Sequence, residues 1–174
     1  MKKLKLYITA SLDGYIASPD GDLDWLIGHP VPSKEDHEKF LNSVDTVIIS
    51  GNTFHIMFYM DILWPYKDYT TYVVTHNPSM EKENVNYITS DIIETIAQLK
   101  QEEGKDIWLV SGGKLTSLLH EHDLIDEIIV THIPVDLNVG TLLFSDKIKE
   151  SDWILKEQIS YENDAIKKVY QRAQ

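Results

Sequence analysis

The chain contains no cysteine. Disulfides, thiolate metal sites and a cysteine nucleophile are therefore excluded. Arginine is nearly absent too, with Arg172 the single one. Bidentate recognition of carboxylate or phosphate usually falls to arginine. Any bound anion must therefore be met by lysine, histidine and backbone N–H groups. No apolar run is long enough to span a bilayer, and no basic, apolar leader opens the sequence. Cytoplasmic residence is the expectation. The net charge of −12 argues against a nucleic-acid or anionic-membrane partner. The G-x-G-x-x-G fingerprint, the P-loop and the G-x-S-x-G elbow are all missing, which disfavours a Rossmann dehydrogenase, a P-loop NTPase and an α/β hydrolase. No metal site is expected: His120 and His122 at i and i+2 do not share a helix face, and the acidic run from Asp20 to Asp24 lacks the spacing of a calcium loop.

What is present is an alternation of strand-like and helix-like segments. Leu4–Ala10, Thr46–Ser50, Thr71–Thr75, Asn86–Thr89, Asp106–Val110 and Asp126–Ile133 read as strands. Helices are expected over Lys34–Asn42, capped by Ser33, over Asp91–Glu103, and over Lys114–His122. Ser11–Asp24 reads as a loop. Trp153–Ser160 and Ala165–Tyr170 read as a hairpin turned by Glu162-Asn163-Asp164. With 174 residues and no linker or repeat, residues 1–174 are expected as a single α/β domain: three layers, α/β/α, with a mixed, mostly parallel sheet and a C-terminal antiparallel hairpin.

The most informative stretch is Trp108-Leu109-Val110-Ser111-Gly112-Gly113-Lys114. An apolar strand runs into paired glycines, and a helix starts at once. Such a corner lets backbone N–H groups and the positive end of a helix dipole approach an anion. It is equally the signature of a tight turn. Gly51 and Thr75-His76-Asn77 follow two other strands, and ligands of open α/β sheets bind beyond the carboxyl ends of strands.

Ser11-Leu12-Asp13-Gly14-Tyr15-Ile16-Ala17, then Gly21 and Asp24-Trp25-Leu26, resembles the N-terminal signature of the dihydrofolate reductase-like superfamily. The nearest branch is that of the C-terminal reductase domain of the bacterial riboflavin-biosynthesis deaminase/reductase. Ser50-Gly51-Asn52-Thr53-Phe54, Ser111-Gly112-Gly113-Lys114, Val130-Thr131-His132-Ile133 and Gly140-Thr141 to Phe144 follow in the same order. The resemblance implies a reductase taking hydride from NADPH, with NADH also open because Asn52 stands where many relatives carry arginine.

It further implies that Thr9, Ile16 and Ala17 face the nicotinamide. Gly51, Asn52, Thr53, Thr75 and His76 would meet the adenosine and phosphate region. Ser111, Gly112, Gly113, Lys114 and Leu115 would cradle the pyrophosphate, with Thr141 beside them. The Gly-Gly peptide is often cis in similar reductases. On the substrate side the resemblance implies Asp36 as the carboxylate that hydrogen-bonds the substrate ring, with Thr131 as its partner and Phe40 as an aromatic wall. Asp13 and Trp25 stand with them. Residue chemistry alone also allows Asp36 as a first-turn carboxylate on the helix dipole, Asp13 as a loop-capping group and Trp25 as a core aromatic.

Three functional readings follow. The first is a reductase of a pteridine- or pyrimidine-type heterocycle, nearest to 5-amino-6-(5-phosphoribosylamino)uracil reduction, with dihydrofolate reduction as the alternative. The second is a nucleotide-binding module without turnover. The third is a structural homodimer joined through the hairpin or an exposed strand edge.

Overall fold

The computed structural model describes residues 1–29, 33–59, 65–78, 82–144 and 152–173. Among these residues ten strands and four α-helices follow one another as β1 (Leu4–Ser11), β2 (Tyr15–Ala17), α1 (Lys34–Asn42), β3 (Val44–Ser50), α2 (Gly51–Tyr59), β4 (Thr70–Val74), β5 (Val85–Ile88), α3 (Ile92–Gln101), β6 (Asp106–Leu109), α4 (Gly113–Glu121), β7 (Glu127–Ile133), β8 (Thr141–Leu142), β9 (Trp153–Ser160) and β10 (Ile166–Arg172). Eight strands form one sheet in the order β5-β4-β3-β6-β1-β7-β10-β9. The ladders from β5 to β7 are parallel, and β10 pairs antiparallel with both β7 and β9.

The central strands are buried on both faces, as their unbroken apolar runs require. Val47, Ile48 and Ile49 of β3 are all fully buried. One core layer joins Leu4, Leu6, Ile48 and Leu109 to Ile96 and Leu99 of α3 and to Leu115 and Leu119 of α4. The opposite layer joins Val47, Ile49, Val73 and Trp108 to Phe40 of α1 and Phe54 of α2. Helices α1 and α2 therefore cover one face, and α3 and α4 the other. At the amino edge, Lys2 pairs with Asp45 at 2.9 Å and Lys100 with Asp126 at 2.7 Å.

Two elements differ from the sequence expectation. Part of Ser11–Asp24 is strand β2, which pairs with β8 as a separate two-stranded ribbon. Gly51–Tyr59 is a helix whose aromatic and β-branched residues carry little intrinsic helical preference. It is fixed instead by burial of Phe54, 2% exposed.

Candidate active site

Strands β3 and β6 are neighbours, yet α2 leaves β3 toward one face and α4 leaves β6 toward the other. Such a reversal opens a crevice beyond the carboxyl ends of the two strands. The two corners are tied together. The Ser50 backbone N–H donates to Ser111 Oγ at 2.6 Å, and the Ser50 and Thr53 hydroxyls lie 3.0 Å apart. Thr116 Oγ1 donates back to the Ser111 carbonyl at 2.5 Å. Among the described residues no side chain caps the N-terminus of α4. Lys114 in its first turn is exposed, as are Asn52 and His76 across the crevice; Thr53 and Thr75 are half-buried.

The glycines have a definite structural use. A Cβ on Gly112 would lie 2.2 Å from Ile16 Cδ1, and one on Gly51 would lie 2.7 Å from the Thr75 side chain. Both therefore admit neighbouring loops, whether or not they also admit a ligand. Gly113 has φ +62 and donates its N–H to the Leu143 carbonyl at 3.2 Å. The peptide between Gly112 and Gly113 is trans, in contrast to the expectation from similar reductases; the positive φ of Gly113 turns the chain into α4. Leu115 points into the core, so only its backbone can face the crevice. Thr141 lies over Gly113, its Cγ2 at 3.5 Å from where a Cβ would sit. The β2–β8 ribbon thus brings Ile16 and Thr141 against the glycine corner, with Ala17 paired to Thr141 in the ribbon.

On the face covered by α1, Thr9, Thr131 and Lys167 stand side by side across β1, β7 and β10. Directly opposed residues share a face of the sheet, so Tyr7, Ile129 and Val169 form the next row. Phe40 stacks on Tyr7 at 4.1 Å and meets Trp108 edge-on at 5.4 Å. A cavity of about 270 Å³ opens there, lined by Tyr7, Asp36, Phe40, Ile129, Glu157 and Lys167 among others.

The match to known proteins settles the relationship. Residues 2–167 match the family described as RibD C-terminal domain. The chain belongs to that family. This RibD C-terminal domain protein is 38% identical over 156 residues to the uncharacterized protein YwjB of Bacillus subtilis (strain 168), covering 89% of this chain and 90% of YwjB. It is 28% identical over 158 residues to YyaP of the same organism, also uncharacterized, covering 83% and 81% of the two chains.

Among solved structures, a protein ascribed to riboflavin biosynthesis from Shewanella sp. PV-4 superposes with TM-score 0.84 at 25% identity, over 99% of both chains. Dihydrofolate reductase from Enterococcus faecalis, complexed with NADP(H), gives TM-score 0.71 at 19% identity over 99% of this chain and 97% of that one. The fold is dihydrofolate reductase-like. Among the described residues no helix is long and apolar enough to cross a membrane.

Within this RibD C-terminal domain the substrate-side expectations are partly redrawn. Ser33 Oγ accepts the Asp36 backbone N–H at 3.1 Å, so Asp36 belongs to the helix start. Its carboxylate partners are not Thr131 but Lys167 Nζ at 3.1 Å and the Tyr161 hydroxyl at 3.0 Å, both on Oδ2. The β9–β10 turn and β10 reach the site first and occupy that oxygen. Burial pushes the Asp36 carboxyl up, but hydrogen bonds from Lys167 and Tyr161 outweigh it and hold it below the usual range. Burial and the neighbouring Asp36 push Tyr161 up to about 12, and burial raises Tyr7 further.

Asp13 is corrected from the substrate side to the loop-capping role. One carboxylate oxygen accepts from Ser11 Oγ at 2.6 Å and the Leu137 N–H at 3.1 Å, the other from the Asn138 N–H at 2.7 Å. Trp25 lies half-buried on the turn Asp24–Leu26, its indole N–H buried without a hydrogen-bond partner among the described residues. His120 stacks on Trp153 while a ring nitrogen of His122 lies 2.9 Å from the Leu118 carbonyl, so the two histidines diverge.

Sequence reasoning missed Tyr7, Tyr161 and Lys167. Tyr7 was recoverable, because it lies two residues before Thr9 and so shares its face. A lysine in a strand that also carries Lys168, Gln171 and Arg172 is a weaker signal, and nothing local marks Tyr161.

Proposed function

We propose that this protein is an NADPH-dependent reductase of a pteridine- or pyrimidine-type small molecule, with 5-amino-6-(5-phosphoribosylamino)uracil reduction the nearest named activity. The observation that carries the reading is the change of helix side between β3 and β6, with an aromatic-walled cavity on the α1 face one row from Thr9 and Thr131. The residues fit a dinucleotide. The uncapped start of α4 and Lys114 suit its pyrophosphate, and Asn52, Thr53, Thr75 and His76 suit its adenosine half. Ile16 and Ala17 would flank the nicotinamide beside Thr9.

When bound, the cofactor supplies a hydride equivalent. The chain's own residues orient a flat ring: Phe40 and Tyr7 offer apolar faces, and Asp36 and Lys167 offer polar contacts at one edge. Placing the ring next to the Thr9 row turns a bimolecular encounter into an oriented one.

The test is a titration with NADPH and NADH, followed by nicotinamide oxidation against dihydropteridines and aminopyrimidines. Saturable NADPH binding with substrate-dependent oxidation is the expected result. Binding without turnover against any of them supports the nucleotide-binding module instead. No binding of either nucleotide ends both readings.

A further inference from the structure

Reducing a C=N bond takes a proton as well as a hydride, and few groups on the cavity wall have one to give. Asp36 has none at neutral pH, because hydrogen bonds from Lys167 and Tyr161 outweigh burial and keep its carboxyl ionised. The Tyr161 hydroxyl directs its single proton at Asp36 Oδ2, 3.0 Å away. The Tyr7 hydroxyl faces His37 Nδ1 at 3.4 Å. Lys5 pairs with Asp106 at 2.8 Å and stands four residues before Thr9 on β1, about 13 Å along the strand. Lys39 pairs with Glu35 at 2.7 Å in the solvent, and Glu127 accepts from Gln171 at 3.3 Å.

Lys167 differs from all of these. It lines the cavity and is 8% exposed. Its Nζ lies 3.1 Å from Asp36 Oδ2 and 3.5 Å from Glu157 Oε2. An ammonium has three N–H donors. Asp36 accepts one and the Glu157 ion pair engages at most a second, so at least one has no partner among the described residues. Lys167 stands opposite Thr131, and Thr131 opposite Thr9. Two strand spacings, about 10 Å, therefore separate Lys167 from Thr9 on one face of the sheet. A ring set against Thr9 on this face extends toward the lysine.

We infer that Lys167 is a catalytic residue, the proton donor to a C=N bond reduced in this cavity. The inference rests on the reductase reading for placing a heterocycle there. The C=N carbon accepts hydride from the reduced nicotinamide, which is thereby oxidised. The π pair moves to the nitrogen, and the nitrogen takes a proton from Nζ as one N–H bond of the ammonium breaks. A nitrogen holding that pair is far more basic than an amine, so an ammonium is acid enough to protonate it. Lys167 then recovers a proton from water on the side of Glu157, whose side chain is 52% exposed. Asp36 and Glu157 hold the ammonium in place between turnovers.

The experiment sets Lys167→Arg against the wild type. Arginine keeps the positive charge and can pair with both carboxylates, but a guanidinium does not give up a proton. Calorimetry with NADPH, and with a dihydropteridine or aminopyrimidine that the wild type reduces, should give affinities within a few-fold of wild type. Single-turnover oxidation of the nicotinamide should slow by at least about a hundredfold, the usual loss when a positioned acid is removed. Lys167→Ala should lose a similar factor and regain more from added methylammonium than from tetramethylammonium, which carries the charge but no proton. A wild-type rate in Lys167→Arg, or no advantage of methylammonium in Lys167→Ala, overturns the inference. So does a wild-type single-turnover rate that falls as pH rises through neutrality, because that limb belongs to a carboxylic acid or to an imidazole such as His37. If Lys167→Arg does not fold, Lys167→Ala and the pH profile decide. The reductase reading fails separately, by absence of nucleotide binding or of substrate-dependent oxidation in the wild type, and the inference falls with it. Equal turnover by the wild type and Lys167→Arg ends the inference alone.

Discussion

Gly112 and Asp36 each do more than one task. The missing Cβ of Gly112 is filled by Ile16, so Gly112→Ala should cost about 1–3 kcal/mol through overpacking, read from the urea midpoint. The obstructing atom is the far end of a flexible side chain. Ile16→Val removes it, and the double variant should recover part of the loss; strict additivity would show that the contact does not matter. Gly113 is a different case, because its constraint is φ +62 rather than space. Asn tolerates that conformation far better than a β-branched residue, so Gly113→Asn should fold where Gly113→Val is strained.

The Asp36 carboxyl is depressed in the folded state by Lys167 and Tyr161 acting against burial. A depressed carboxyl stabilises the fold at pH above its unfolded value of about 4, and that contribution is lost as pH falls through the folded value. Asp36→Asn should therefore flatten the acid limb of the stability curve. An acid limb as steep as the wild type's would remove Asp36 from the account.

At the scale of elements, two devices hold the loops and the hairpin. Asp13 joins the 11–14 loop to the backbone at Leu137 and Asn138. Asp13→Ala should speed amide exchange at those two positions while leaving β1 and β7 protected. The hairpin is pinned to α4 by a second cluster. Arg172 stacks over Trp153 at 4.9 Å and reaches Asp123 at 2.6 Å, and His120 stacks on Trp153 at 5.9 Å. Burial lowers His120, and the nearby Arg172 adds to it. A lowered histidine binds fewer protons in the folded state, so stability falls as pH drops through its unfolded value of about 6.5. His120→Phe should remove that slope between neutral and mildly acidic pH, measured by thermal unfolding.

Eight of the ten strands and three of the four α-helices among the described residues were legible, from unbroken apolar runs or alternation in the strands and a 3.6 period in the helices. Leu4 and Leu6 announce β1, and Ile92, Ile93, Ile96 and Leu99 announce α3. Helix α2 was not, since its order comes from Phe54 packing rather than from propensity. The β2–β8 ribbon joins segments more than 120 residues apart, a pairing no local pattern displays. Asp36 and Phe40 both line the cavity, yet the hydrogen-bond partner of Asp36 is Lys167 rather than Thr131, because the hairpin that brings Lys167 is contributed from 131 residues away.

The whole molecule places the earliest strand at the centre of its sheet. β1 pairs with β6 from Leu4↔Ile107 and with β7 from Lys5↔Glu127. A segment at the start of the chain thus has no ladder partner until more than a hundred further residues exist. On the ribosome, where synthesis proceeds at roughly 5–20 residues per second, β1 would wait some seconds as an apolar, unpaired strand. Long-range parallel pairing of this kind also slows refolding in solution. The crevice at the β3–β6 reversal shares that schedule, since β6 borders β1 on one side and β3 on the other. Ligand affinity should therefore appear late and abruptly during refolding, together with native tryptophan fluorescence from Trp108, and not in step with early helix formation.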